Sequence, residues 1–170
     1  MCSVQGWIAS GISSLKLRTE RERPLPLTPP VGPDNVVLAH DDLAILPQSL
    51  LIRHISPDHH VVLDENRNVR RISSAAFAAT SGDPDYGMSV DVNQLLAEQA
   101  LPAGHVVPQG MGAVSLIVAD LRGKGLRVGS DPTPTNEFHG QVWGVKQATR
   151  KAVHRLVKGW VVPLSGVALL

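Results

Sequence analysis

The chain has 170 residues, enough for one domain with its own core. Apolar residues make up 43% and aromatics only 4%, so that core must rest on Val, Leu, Ile and Ala. A formal net charge of +1 provides no overall field to draw nucleic acid or a membrane surface, and the single cysteine, Cys2, excludes an intramolecular disulfide and a thiolate metal cluster.

Residues 1–48 read as a flexible, proline-rich leader. Met1 to Ser14 is mildly apolar but lacks the basic start and continuous apolar stretch of a signal peptide. Lys16 to Arg23 is a charged run, and five prolines between Pro24 and Pro33 dictate an extended, polyproline-like path. No apolar run approaches ~18 residues, so no membrane-spanning helix is expected. The lone cysteine makes the reducing cytoplasm the natural compartment.

A single globular domain is expected over 49–163, with a short tail over 164–170. Leu50 to Ile55 reads as a strand. His60 to Leu63 and Val69 to Ile72 flank the polar link Asp64–Asn68 and predict a hairpin, with Ser73 to Phe77 continuing its second strand. Thr80 to Gly87 is a loop. Met88 to Val92 alternates in the strand manner, and Asn93 to Ala100 predicts a short helix capped by Asp91 or Asn93. Ala113 to Ala119, Leu126 to Val128, Phe138 to Val145 and Trp160 to Pro163 are further strands, with an irregular loop over Ser130 to Asn136. Lys146 to Lys158 predicts a basic amphipathic helix. On it Val145, Thr149, Ala152, Val153 and Leu156 share an apolar face, and Lys146, Arg150, His154 and Lys158 form an i, i+4 stripe. No regular strand–helix alternation appears. The expected fold class is therefore α+β: a small mixed or mainly antiparallel sheet, one or two short helices and the C-terminal basic helix.

The polar groups set into apolar strands carry the chemistry, because such local conflicts mark functional sites. On a strand, Arg53 and His54 point to opposite faces. Arg53 shares its face with Leu51, and a buried guanidinium there needs carboxylates, phosphates or carbonyls; Asp91 or Glu137 could supply a carboxylate. Ser73-Ser74 follows Arg70-Arg71, so hydroxyls stand beside cations that could hold a ribose or phosphate oxygen. No Gly-x-Ser-x-Gly elbow surrounds the serines, which gives no support for a hydrolase nucleophile. The seven histidines show no metal-ligand spacing, so no metal is expected. Among them His139, beside Glu137, is the best polar candidate of the second half. Like charges along the Lys146–Lys158 stripe repel one another mildly, and an acidic protein or a nucleic acid would relieve them.

The pattern Leu51-Ile52-Arg53-His54-Ile55-x-Pro57, Ser73-Ser74-Ala75-Ala76-Phe77 and Met88-Ser89-Val90-Asp91 resembles a set of short bacterial proteins of unassigned activity, over about Leu50 to Val162. That resemblance implies a domain boundary and a bacterial source but no mechanism. More distantly, the chain resembles ADP-ribosyltransferase-like domains, including the NAD-consuming RES type. There an Arg or His lies on the first strand, a Ser on the second and an acidic residue later. The resemblance implies that Arg53 clamps a pyrophosphate, His54 or Ser74 holds the nicotinamide riboside, and Glu137 stabilises an oxocarbenium-like centre. Ser73, Arg71 and His139 would be further ligand-binding residues, with NAD as the bound molecule. This reading requires Arg53, His54, Ser74 and Glu137 to converge. The rival expectation is a non-catalytic module, such as a toxin- or defence-associated partner protein. It would contact its acidic or nucleic-acid partner through Lys146, Arg150, His154 and Lys158.

Overall fold

A computed structural model describes residues 28–169; Cys2, the charged run at Lys16 to Arg23 and the first prolines fall outside them. In chain order the elements are β1 (Leu50–Ile55), β2 (Val61–Asp64), β3 (Val69–Ile72), a 3-10 turn (Ser74–Phe77), β4 (Met88–Val92) and α1 (Asn93–Glu98). A second 3-10 turn (Ala103–Val106), β5 (Gly112–Ile117), α2 (Val118–Arg122), β6 (Arg127–Ser130) and β7 (His139–Trp143) follow. The chain then completes α3 (Arg150–His154), β8 (Gly159–Val162) and β9 (Val167–Ala168). The fold is α+β, with nine mostly antiparallel strands and three short helices among the described residues.

Six strands form one antiparallel sheet in the order β6-β7-β4-β1-β5-β8. Its central strand, β1, is apolar on both faces. Leu51 and Ile55 enter the main core with Phe77, Met88, Val92, Leu116 and Val142, while Ile52 enters a smaller core with Leu96, Ala113 and Phe138 on the other face. Strand β1 pairs with β5 along its whole length, from Leu50↔Ile117 to Ile55↔Gly112. With β4 it pairs only at Leu51↔Val92 and Ile52↔Asp91. Beyond Ile52 a side chain replaces the ladder: Arg53 donates from Nη1 to the Ser89 carbonyl at 2.7 Å and from Nε to the Ala76 carbonyl at 2.8 Å. The expected hairpin is present as β2–β3, and Asn68 takes the left-handed conformation (φ 49°) that asparagine tolerates in its turn.

The fold begins earlier than the boundary expected at Ser49. Ile45 is 3% exposed and belongs to the main core, which is worth about 1.5–3 kcal/mol for such a side chain. Arg122 of α2 clasps the same segment, donating to Asp41 Oδ1 (2.9 Å), the Ile45 carbonyl (2.9 Å) and the Asp42 carbonyl (2.7 Å). Gln94 bonds the Leu46 amide and the Ala44 carbonyl from α1. Upstream, the proline stretch turns into a small hairpin in which Val31 bridges Val37.

Four further expectations change. Ser73 to Phe77 does not extend β3, because Ser73 Oγ accepts from the Ala75 amide and turns the chain into a 3-10 helix. Helix α1 has Val92 at its N-cap with no side-chain cap, because the Asp91 carboxylate is engaged elsewhere. The apolar run from Ala113 leaves the sheet at Val118 and becomes α2. Part of the expected tail is β9, which pairs in parallel with β3 through Arg70↔Val167 and Arg71↔Ala168.

The predicted thirteen-residue basic helix shortens to five residues, Arg150–His154, flanked by turns. The predicted stripe breaks up with it. Lys146 precedes the helix and lies over the Tyr86 ring, 5.8 Å from its centroid. His154 is buried and stacked on Phe77. Lys158 leaves the helix and pairs with Asp120 at 2.7 Å.

Candidate functional site

Strand periodicity and register build the site. Ile52 pairs with Asp91, and Asp91 with His139, so these residues share one face of adjacent strands. His54 lies two residues from Ile52 and joins the same face. Asp91 is the buried centre of this group, 2% exposed. A carboxylate out of water needs partners. Asn136 supplies one, donating from Nδ2 to Oδ1 at 2.7 Å. His54 supplies the other, with Nε2 2.8 Å from Oδ2 and a side chain 25% exposed. The carboxylate oxygen lies off the axis of the ring N–H, so the approach is a close polar contact rather than an aligned hydrogen bond. A carboxylate oxygen only accepts, so the contact places a proton on Nε2 and leaves Nδ1 as the ring's basic nitrogen.

His139 has a partner of its own. Its Nδ1 lies 2.6 Å from the Asp131 carbonyl and 3.5 Å from the Asp131 carboxylate. A carbonyl only accepts, so this Nδ1 carries the proton and Nε2 is the acceptor. The same Asp131 carboxylate accepts from Gln141 Nε2, which holds the loop against β7. His54, Asp91, Asn136 and His139 line a cavity of about 160 Å³, with Arg53 and Ser89 on its wall. A larger cavity of about 470 Å³ is lined by His105, Thr133, Thr135, Glu137 and Phe138, and it shares Asn136 with the first. Glu137 is exposed there. Two histidines, each oriented by an aspartate, thus stand beside a carboxylate-bearing cavity. That arrangement suits proton transfer and the stabilisation of developing positive charge.

Arg53 points to the opposite face from His54, as strand alternation requires. Its fixed partners are the Ala76 and Ser89 carbonyls rather than a carboxylate. Burial pulls its pKa down to about 10, against the attraction of Asp91, and the guanidinium stays charged at neutral pH.

Ser73, Ser74 and Arg71 lie elsewhere, in a groove of about 540 Å³ with Lys151, His154 and Arg155. The structure therefore brings His54, His139 and Glu137 to neighbouring cavities and does not bring Ser74 to them. Arg53 and Ser74 are on the same side of the sheet but line different cavities, so the expected quartet does not converge. Lys146, Arg150 and Lys158 line none of these three cavities. Among the described residues no group of three or more His, Cys, Asp or Glu side chains could hold a metal ion, and no helix is long and apolar enough to cross a membrane.

Asn136 and Asp131 are the members of the site that sequence reasoning left unassigned, and Asp91, expected as a partner of Arg53 or a helix cap, instead meets His54 and Asn136. The alternation of Met88-Ser89-Val90-Asp91-Val92 carried a signal, since two polar side chains share one face of a strand with apolar residues on the other. Asn136 and Asp131 sit in a loop whose partner strands only the fold reveals. Comparison with protein families, with curated proteins and with solved structures finds no match to this chain.

Proposed function

We propose that the protein is an NAD-handling enzyme of the ADP-ribosyl-transfer type, working at the face made by β1, β4 and β7 with a set of residues different from the expected quartet: His54, Asp91, Glu137 and His139, without Ser74. The observation that carries this reading is the buried Asp91 carboxylate. It holds His54 at one cavity, and through Asn136 it reaches the neighbouring cavity that contains Glu137. NAD as the substrate follows from the resemblance to ADP-ribosyltransferase-like domains.

In the reaction the bond between ribose C1′ and the nicotinamide nitrogen breaks. Its electron pair stays on that nitrogen and cancels the ring's positive charge. Glu137 stabilises the positive charge left on C1′ and the ring oxygen. Water or an acceptor hydroxyl adds its oxygen to C1′, and its proton passes to Nδ1 of His54. Asp91 stabilises the resulting imidazolium, and His139 offers Nε2 to a ribose hydroxyl. Arg53 braces β1 against Ser89 of β4 from the opposite face through its carbonyl bonds, while Ser74, Ser73 and Arg71 take no part.

The test is nicotinamide release from NAD, measured chromatographically on the full chain, with calorimetric NAD binding beside it. His54→Ala and Glu137→Gln should each slow release by about 100-fold or more, the scale of a lost acid–base or charge-stabilising group, while melting close to wild type. Wild-type protein that neither binds NAD nor releases nicotinamide, or variants as active as wild type, would refute the reading.

A further inference from the structure

On the opposite face, the groove between the β2–β3 turn and α3 has a character unlike the rest of this nearly neutral chain. Four permanent cations line it: Arg67 and Arg71 from the hairpin, Lys151 and Arg155 from α3 and its end. Its one acid is Asp64, which already accepts from Arg71 Nε at 3.1 Å. Arg67, Lys151 and Arg155 have no carboxylate partner among the described residues. The lining thus carries a local excess of three positive charges, four cations less one anion, and such a concentration of like charge costs folding free energy unless an anion neutralises it.

The floor is polar and fixed. Ser73 Oγ accepts from the Ala75 amide, which leaves its hydroxyl proton free to donate. His154 is held by its stack on Phe77, with ring centroids 5.1 Å apart, and by Nε2 at 3.2 Å from the Leu169 carbonyl. Burial and the nearby Arg71 hold its pKa below the ordinary value, against the pull of the Leu169 carbonyl.

We propose that this groove binds a ligand carrying two linked phosphoryl groups, either the diphosphate of a nucleotide or successive phosphodiesters of a nucleic-acid strand. Guanidinium forks match phosphate oxygens in pairs, and two linked phosphates carry about the charge needed to offset the excess. The volume of about 540 Å³ suits a ligand of nucleotide size. An acidic peptide fits less well, since Val62 is the only large apolar side chain in the lining. No Phe, Tyr or Trp lines the groove, and the one ring there, His154, is already stacked on Phe77, so the backbone is held without base stacking. The site is independent of the NAD reading, because it lies across the sheet from His54.

The experiment titrates the full chain with inorganic pyrophosphate, ADP, a labelled single-stranded RNA 12-mer and a poly-glutamate decapeptide. Wild type is compared with Arg67→Glu plus Lys151→Glu, and with Lys124→Glu, an exposed charge reversal outside the groove. Arg67 and Lys151 are both exposed, so the double variant should keep its fold, which a thermal melt checks. Expected is binding of pyrophosphate and ADP, of RNA, or of both. It should weaken by roughly 30-fold or more in the double variant, stay unchanged in Lys124→Glu and fall with salt. Binding of pyrophosphate and ADP alone identifies a nucleotide ligand; binding of RNA identifies a strand. The His154 ring resonances should also shift toward the protonated form when pyrophosphate binds. No binding of any phosphate probe, binding untouched by the charge reversal, or tighter binding of the peptide than of every phosphate probe overturns the proposal.

Discussion

Replacing Asp91 separates the structural part of the site from its chemistry. In Asp91→Ala the Asn136 amide loses its 2.7 Å acceptor and His54 Nε2 loses the oxygen 2.8 Å away, in a position only 2% exposed. A charge-assisted hydrogen bond is worth about 1.5–3 kcal/mol, and stranded buried donors add to its loss. The removed carboxylate returns part of that by sparing its own desolvation. The expected net loss is about 3 kcal/mol. With about 2 cal/mol/K of unfolding entropy per residue over roughly 140 folded residues, that is a fall of about 10 °C in Tm. Asp91→Asn behaves differently. Its amide oxygen still accepts from Asn136, but its NH₂ now faces His54 Nε2, so the ring must move its proton to Nδ1 to avoid two opposed donors. This variant should lose only about 1 kcal/mol, yet lack a basic Nδ1 and so release nicotinamide slowly. Circular-dichroism melts give the stabilities, and nitrogen–proton correlation spectra of the imidazole give the tautomer. An Asp91→Ala protein melting within about 2 °C of wild type, or an Asn variant whose His54 keeps the Nε2 proton, would refute the reasoning.

Three further outcomes are expected. His154 and His60 are pushed below the ordinary histidine value of 6.5, each by burial first, with neighbouring Arg71 and Arg53 respectively acting in the same direction. The unfolded chain therefore takes up protons before the folded one, and stability is full above about pH 6.5 and declines as the pH falls below it. His154→Phe should flatten that decline in denaturant titrations; an unchanged slope counts against it. Gly140→Ala would place a Cβ 2.8 Å from the Gly129 carbonyl oxygen and 2.9 Å from a Val92 methyl, and the forced spreading of β6 and β7 should cost about 1–3 kcal/mol in urea denaturation. A chain beginning at Ser49 should be less stable than one beginning at Thr28 by about 3 kcal/mol or more, because it loses Ile45 and leaves Arg122 without its clasped segment. Equal melting of the two would place residues 38–48 outside the cooperative fold.

Much of the sheet was legible because period-two patterning fixes which side chains share a face. That argument put Arg53 and His54 on opposite sides of β1, where they lie: Arg53 beside the main core, His54 beside Asp91. It could not say what each would meet. Arg53 ended on carbonyls of Ala76 and Ser89, 23 and 36 residues away, and Asp91 bonds Asn136 across 45 residues. Local pattern holds no record of such pairings. The basic helix failed for a related reason. Apolar spacing at Val145, Val153 and Leu156 fits a long helix, yet Val145 belongs to the turn after β7, with its amide bonded to the Tyr86 carbonyl, and Lys158 donates its amide to the Ser115 carbonyl beside β8. Tertiary hydrogen bonds at both ends limited the helix to its middle. The cations that do face a groove, Lys151 and Arg155, were visible in the sequence. What hid them was that their companions, Arg67 and Arg71, come from a hairpin some eighty residues earlier.

The brief pairing of β1 with β4 divides the main sheet into two blocks, β6-β7-β4 and β1-β5-β8. Each block is laddered along its strands, and the seam between them carries just the partners Leu51↔Val92 and Ile52↔Asp91. His54 rides on one block; Asp91 and His139 ride on the other. The geometry of the His54, Asp91 and His139 group is therefore a property of the seam, set by how the two blocks meet. A few degrees of rotation about Ile52 and Asp91 would change the reach of His54 while leaving every strand intact.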